Sequence, residues 1–175
     1  RNLSFSAEPG EITAIIGGTG SGKSTLLKLI SRFYDVDSGA VLVDGVNVKD
    51  MPIEVLRKKI GLVPQKAVLF TGSVKENILF GNEQATEEEI IHATKVAQAY
   101  DFVMNMKDGI NSEISQGGTN VSGGQKQRLS IARALVRKPE IYMFDDSFSA
   151  LDFKTDAKLR AALKEETTES TVLIV

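Results

Sequence analysis

Cysteine and tryptophan are absent from the 175 residues, histidine occurs once and proline four times. Without cysteine there is no thiol nucleophile, no disulfide framework and no Cys-rich zinc site, and the redox compartment stays undecided. No apolar run reaches the roughly 20 residues that span a bilayer, and residues 1–12 lack the pattern of a signal peptide. Any membrane connection is therefore expected outside this stretch. Neither sign of charge dominates: 21 Lys and Arg against 23 Asp and Glu leave a net charge of -2. That balance lacks the basic footprint of a dedicated nucleic-acid binder. What is present is an ordinary globular mix, 42% hydrophobic and 25% charged. A chain this long buries roughly 70% of its unfolded surface as one domain, with no need of a covalent staple.

The 15 glycines are slightly above the usual share, and they are unevenly placed. Gly17, Gly18, Gly20 and Gly22 form one cluster; Gly117, Gly118, Gly123 and Gly124 form another. Around the first, the apolar run Ile12 to Ile16 reads as a strand, and Leu26, Leu27, Leu29 and Ile30 follow Lys23 at helical spacing. Residues 40–50 read as an antiparallel hairpin about Asp44-Gly45. Ile60 to Val63 is a short strand stopped by Pro64, and from Ser73 to Leu135 the pattern is mostly helical. Thr86 with Glu89 forms a capping box opening a helix through Ala99. Ser122 with Gln125 repeats the spacing and opens a helix to about Val136, with Leu129, Ala132 and Val136 on one apolar stripe. Lys138-Pro139 ends it. Strands at 141–144 and 171–175 enclose a helix over 156–166. Four strands joined by long helical crossovers imply an α/β fold with a mainly parallel sheet. The long middle crossover implies a helical lobe, residues 73–136, inserted in that core.

The run Gly17-Gly18-Thr19-Gly20-Ser21-Gly22-Lys23-Ser24 fits G-x-x-x-x-G-K-[ST] between a strand and a helix, the P-loop context. Its glycines allow successive backbone N–H groups to face phosphate oxygens, and the helix N-terminus adds partial positive charge. Lys23 is expected to bridge the β- and γ-phosphates, and the Ser24 hydroxyl to ligate Mg²⁺. Asp145, at the end of the apolar strand 141–144, is the candidate acid beside that metal. Gln65, just past Pro64, would bring its amide to the same edge of the sheet. In Val121-Ser122-Gly123-Gly124-Gln125 the capping box is a sufficient structural account. Two adjacent glycines nevertheless weaken a helix start, which suits a backbone that an anion must approach closely.

Together the P-loop, Gln65, the S-G-G-Q at Ser122 to Gln125, the strand ending in Asp145, and Ser149-Ala150-Leu151-Asp152 resemble the nucleotide-binding domain of ATP-binding cassette (ABC) transporters. The resemblance covers essentially the whole chain. It implies a P-loop NTPase core with an antiparallel hairpin subdomain and an inserted helical subdomain, cut at both ends of this sequence. It also implies ATP and Mg²⁺, held by the P-loop residues through Thr25, with Ser24, Gln65 and Asp145 at the metal and Lys23, Gln65 and Asp146 in catalysis. In that family two cassettes pair head to tail, so Ser122, Gly123, Gly124 and Gln125 would meet ATP bound by a partner. Ser149 to Asp152 would be the D-loop at the seam. Residues 69–78 and 112–118, with Glu113, look like the segments that exporters place beside the coupling helices of their membrane domain. The resemblance thus implies an exporter at the cytoplasmic face of a membrane, with multidrug or lipid-like cargo and no nucleic-acid partner.

One position departs from the pattern. Where the family has glutamate after the Walker B aspartate, this chain has Asp146, whose carboxylate lies about 1.5 Å nearer the backbone, one C–C bond. A base must reach its water within about 3 Å, and a misplacement near 1 Å costs roughly a hundredfold. A site that binds ATP but hydrolyses it slowly is expected, completed by a heteromeric partner carrying Glu. A loop shift that lets Asp146 serve as base is the alternative. Val121, where leucine is commoner, is expected to be neutral, and His92 to be an exposed surface residue. The family's switch histidine and adenine-stacking aromatic would lie beyond Val175 and before Arg1. Two other readings stay open: a soluble ABC ATPase of translation or DNA repair, and a regulatory ATP-binding cassette without turnover.

Overall fold

A computed structural model describes residues 2–175. In chain order the strands are β1 (Ile12–Ala14), β2 (Leu42–Val43), β3 (Val46–Asn47), β4 (Ile60–Val63), β5 (Gly72–Ser73), β6 (Glu113–Ile114), β7 (Ile141–Phe144) and β8 (Thr171–Ile174). The helices are α1 (Lys23–Ile30), α2 (Ile53–Lys59), α3 (Val74–Leu79), α4 (Glu87–Val96), α5 (Tyr100–Met104), α6 (Gly123–Val136) and α7 (Phe153–Glu166). Strands β1, β8, β7 and β4 pair in that order as one all-parallel sheet.

That sheet is covered on both faces, as parallel sheets require. Alternation along β7 sends Tyr142 and Phe144 into the apolar cluster built by α3, α4 and α6, and Met143 into a second cluster with Leu27, Val43, Leu56 and Leu173. The four sheet strands lie where the apolar runs place them, although β1 stops at Ala14. The hairpin β2–β3 turns at Asp44 and Gly45, both at positive φ (51° and 75°), as a type I′ turn demands.

The capping boxes of Thr86–Glu89 and Ser122–Gln125 are both formed, and a third, Ser73–Glu76, opens α3. Other local details differ from the sequence reading. Helix α4 ends at Val96 rather than Ala99, because Gln98 turns left-handed (φ 57°) and its carbonyl accepts from Arg128 Nη1 at 2.7 Å. Helix α7 starts at Phe153, earlier than expected, since Asp152 caps it by accepting from the Thr155 N–H at 3.0 Å. Helix α2, absent from the sequence reading, is a seven-residue helix that follows Pro52. Helix α6 is buried almost all round its last two turns rather than along one stripe, because it packs against α3, α4 and the sheet together. Strands β5 and β6 form an unanticipated antiparallel pair, with Ser73 opposite Glu113.

Candidate functional site

The P-loop connects β1 to α1. Gly20 and Gly22 hold φ of 80° and 95°, conformations that side chains resist, and a Cβ at Gly18, Gly20 or Gly22 would meet nothing within 4 Å. The loop is therefore an open cradle on its ligand side. Gly17 differs: its missing Cβ would lie 2.6 Å from Ser21 Oγ, so the loop's own closure excludes a side chain there. Thr19 and Thr25 are exposed. Lys23 Nζ donates to Gly17 O at 2.7 Å and Gly18 O at 3.1 Å, which suspends its charge across the mouth of the loop.

Ser24, on the first turn of α1, donates its hydroxyl to Asp145 Oδ1 at 2.7 Å. Residues 121 positions apart thus meet, because β1 and β7 end at the same edge of the sheet. Asp145 is held from behind, its N–H donating to Val63 O at 2.9 Å. Asp146 turns left-handed (φ 46°), and its N–H donates to Val175 O at 3.0 Å. Its Oδ2 accepts from Gln65 Nε2 at 2.9 Å, which directs the glutamine amide to this carboxylate. The donor set fits Mg²⁺: a hydroxyl and a carboxylate oxygen converge beside the phosphate cradle, hard oxygen ligands of the right kind. Among the described residues no three acidic or imidazole groups converge, so such an ion must complete its shell with phosphate oxygens and water.

The S-G-G-Q turn lies elsewhere on the surface, at the start of α6. Ser122 Oγ accepts from the Gln125 N–H at 3.2 Å, and Gln125 Oε1 accepts from the Ser122 N–H at 2.8 Å, so both side chains serve the capping box. The two glycines have different reasons. A Cβ at Gly123 would meet nothing within 4 Å, while one at Gly124 would come 3.0 Å from Ala150 O. Gly124 is thus required by this chain's own 149–152 segment, and Gly123 alone faces open space.

Three tertiary features were outside the sequence reading. Gln127 is 2% exposed and donates Nε2 to Pro64 O at 3.0 Å. Its place on the inner side of α6, with Ile131 and Ala134, is the signal that a polar group there must have a partner. Arg133 donates to Asn77 O at 2.8 Å, Val68 O at 3.0 Å and Asn77 Oδ1 at 3.2 Å, clamping the segment after Gln65. Burial lowers the pKa of this guanidinium from its ordinary value. His92 is exposed as expected, but it also bonds Glu166 Oε2 at 2.8 Å, linking α4 to α7.

A parallel sheet whose P-loop follows β1 and faces an acid at the end of β7, with β8 between the two strands, defines a P-loop nucleotide-binding domain. A profile of the ABC transporter family matches residues 1–149. An uncharacterized ABC transporter ATP-binding protein of Mycobacterium tuberculosis is 51% identical over 178 residues. YfiB of Bacillus subtilis, named as an ABC transporter ATP-binding protein, is 52% identical over 175 residues. Each match covers 100% of this chain and 30% of the relative. The structure of a bacterial Atm1-family ABC exporter with ATP bound superposes with a TM-score of 0.94 at 37% identity, over 98% of this chain and 30% of that one. The chain belongs to the ABC transporter family, as an ATP-binding domain homologous to those of exporters.

Proposed function

We propose that this domain is the ATP-hydrolysing motor of a membrane exporter and that its own site turns over slowly. The observation that carries the reading is the Ser24–Asp145 hydrogen bond, which joins the P-loop to the strand end that bears Asp146. Residues 1–175 act as one nucleotide-binding unit in which 73–136 form the helical subdomain. Lys23 exchanges its two carbonyl partners for phosphate oxygens, and the loop N–H groups of 18–24 neutralise the remaining charge. Ser24, Asp145 and Oε1 of Gln65 would hold Mg²⁺, which would neutralise phosphate charge there. Asp146, steadied by Gln65, is the proton acceptor for the attacking water. Its short side chain is what limits the rate.

The open space before Gly123 receives the phosphates of ATP bound by a second cassette, one with Glu at the position of Asp146. Membrane-domain coupling helices dock beside residues 69–78 and 112–118, two segments joined by the β5–β6 pair. The protein would then work at the cytoplasmic face of a membrane, although no helix among the described residues is long and apolar enough to cross one. Relatives from Staphylococcus aureus, 47% identical over 175 residues, carry names for multidrug export, which supports that class of cargo. The relatives' names favour a transporter over a soluble ATPase of translation or repair. ATPase assays on the full-length protein, alone and co-expressed with a Glu-bearing partner, test the reading. Slow turnover alone and faster turnover in the pair are expected, and brisk turnover alone refutes the slow site.

A further inference from the structure

Three consecutive residues at the end of β4 each bond a different functional unit. Val63 O accepts from the Asp145 N–H at 2.9 Å, Pro64 O from Gln127 Nε2 at 3.0 Å, and Gln65 Nε2 donates to Asp146 Oδ2 at 2.9 Å. The middle bond is the informative one. Gln127 lies one turn into α6 from Gly123 and is 2% exposed. A buried amide costs stability unless its hydrogen bond is made, and an apolar residue would fill that space more simply. The carbonyl it grips belongs to the planar peptide unit that leads into Gln65, so moving that plane moves the Gln65 backbone with it. Helix α6 is continuous from Gly123 to Val136, so the S-G-G-Q turn and Gln127 move as one body.

We propose that Gln127 is a positioning residue that ties the S-G-G-Q turn to Gln65, and through Gln65 to Asp146. It rests on the reading above, in which that turn faces a partner's ATP. Engagement of the turn then sets the geometry of this cassette's own acid, by way of two hydrogen bonds within one chain. A tilt of α6 carries the Pro64 carbonyl with it, swings the Gln65 amide and releases or aligns the Asp146 carboxylate. Gln127 is 2% exposed and spends its amide donor on the Pro64 carbonyl, so its effect is expected in turnover rather than in ATP affinity.

The test is a double-mutant cycle on the full-length homodimer in lipid nanodiscs, with kcat and KM for ATP as the readouts. Gln127→Met keeps the length without the donor, and Gln127→Glu keeps the shape but presents a carboxylate to the Pro64 carbonyl. Each is expected to lower kcat about tenfold at unchanged KM, the scale of a sub-ångström misplacement. In a Gln65→Ala background neither is expected to lower it further. A loss as large in that background as in the wild type, a kcat left unchanged, or an effect confined to KM overturns the proposal. Titration with a fluorescent ATP analogue in the same preparations keeps the two readings apart. Wild-type protein that binds no ATP contradicts the proposed function itself and takes this inference with it.

Discussion

Gly123→Ala separates what the fold needs from what a ligand needs. Nothing lies within 4 Å of the position an added Cβ would occupy, so the methyl group clashes with no atom of this chain. Gly123 opens α6 at its first helical residue, and replacing glycine there gains up to about 1 kcal/mol from lost unfolded-state freedom. That corresponds to a rise of roughly 2–4 °C in Tm for a domain of this size. In the proposed function the same methyl group would stand where a partner's phosphate approaches the N-terminus of α6. An anion at a helix N-terminus is worth up to about 2 kcal/mol, or roughly thirtyfold in rate where the contact is made in the transition state. The expected result is protein at least as stable as the wild type, with ATP binding at its P-loop retained and turnover of the paired cassettes reduced about thirtyfold. Scanning calorimetry and steady-state ATPase rates on the full-length protein provide both numbers. Unchanged turnover would refute the argument that this open face receives phosphate. A loss of stability would refute the claim that the fold makes no use of it.

Other perturbations have equally defined outcomes. Gly81→Ala places a Cβ 2.0 Å from Arg133 O; overpacking of this kind costs about 1–3 kcal/mol, read by denaturant titration. Ser24→Ala removes the hydroxyl that meets Asp145 and is expected to weaken divalent binding in the ATP complex about tenfold, near one hydrogen bond. Electron paramagnetic resonance of Mn²⁺ measures it. Glu89 has its pKa lowered from 4.5 by Lys138 and by the cap at Thr86. A lowered folded-state pKa stabilises above the unfolded value and loses that contribution as pH falls through the folded one. Tm should therefore fall below pH 4.5, and Glu89→Gln should flatten part of that slope.

The parts legible in the sequence are those whose cause is local. The P-loop, the Asp44-Gly45 turn and the caps at Thr86 and Ser122 are each specified within about eight neighbouring residues, and the sheet strands by their apolar runs. The glycines of the S-G-G-Q turn look alike in sequence, yet only Gly123 is free of this chain's own atoms, because the carbonyl of Ala150, distant in sequence, reaches Gly124. The break after Val96 depends on Arg128, some thirty residues on, which receives the turned Gln98 carbonyl. The β5–β6 pair is too short to leave a period, and Gln127 and Arg133 read as ordinary polar helix residues until Pro64 and Asn77 are brought beside them. The Gln65–Asp146 bond joins two candidates that the sequence supplies separately, and it is the fold that makes them one unit.

The central claim is that the side-chain length at Asp146 limits hydrolysis at a site otherwise built to bind ATP. Its most direct measurement is the rate at which ATP bound to the full-length protein becomes ADP after rapid mixing and acid quench, in the wild type and in Asp146→Glu. Retained ATP in the wild type, with conversion up to about a hundredfold faster in Asp146→Glu at equal binding, is the predicted result. Rapid conversion by the wild type, with a rate that Asp146→Glu leaves unchanged, would contradict it.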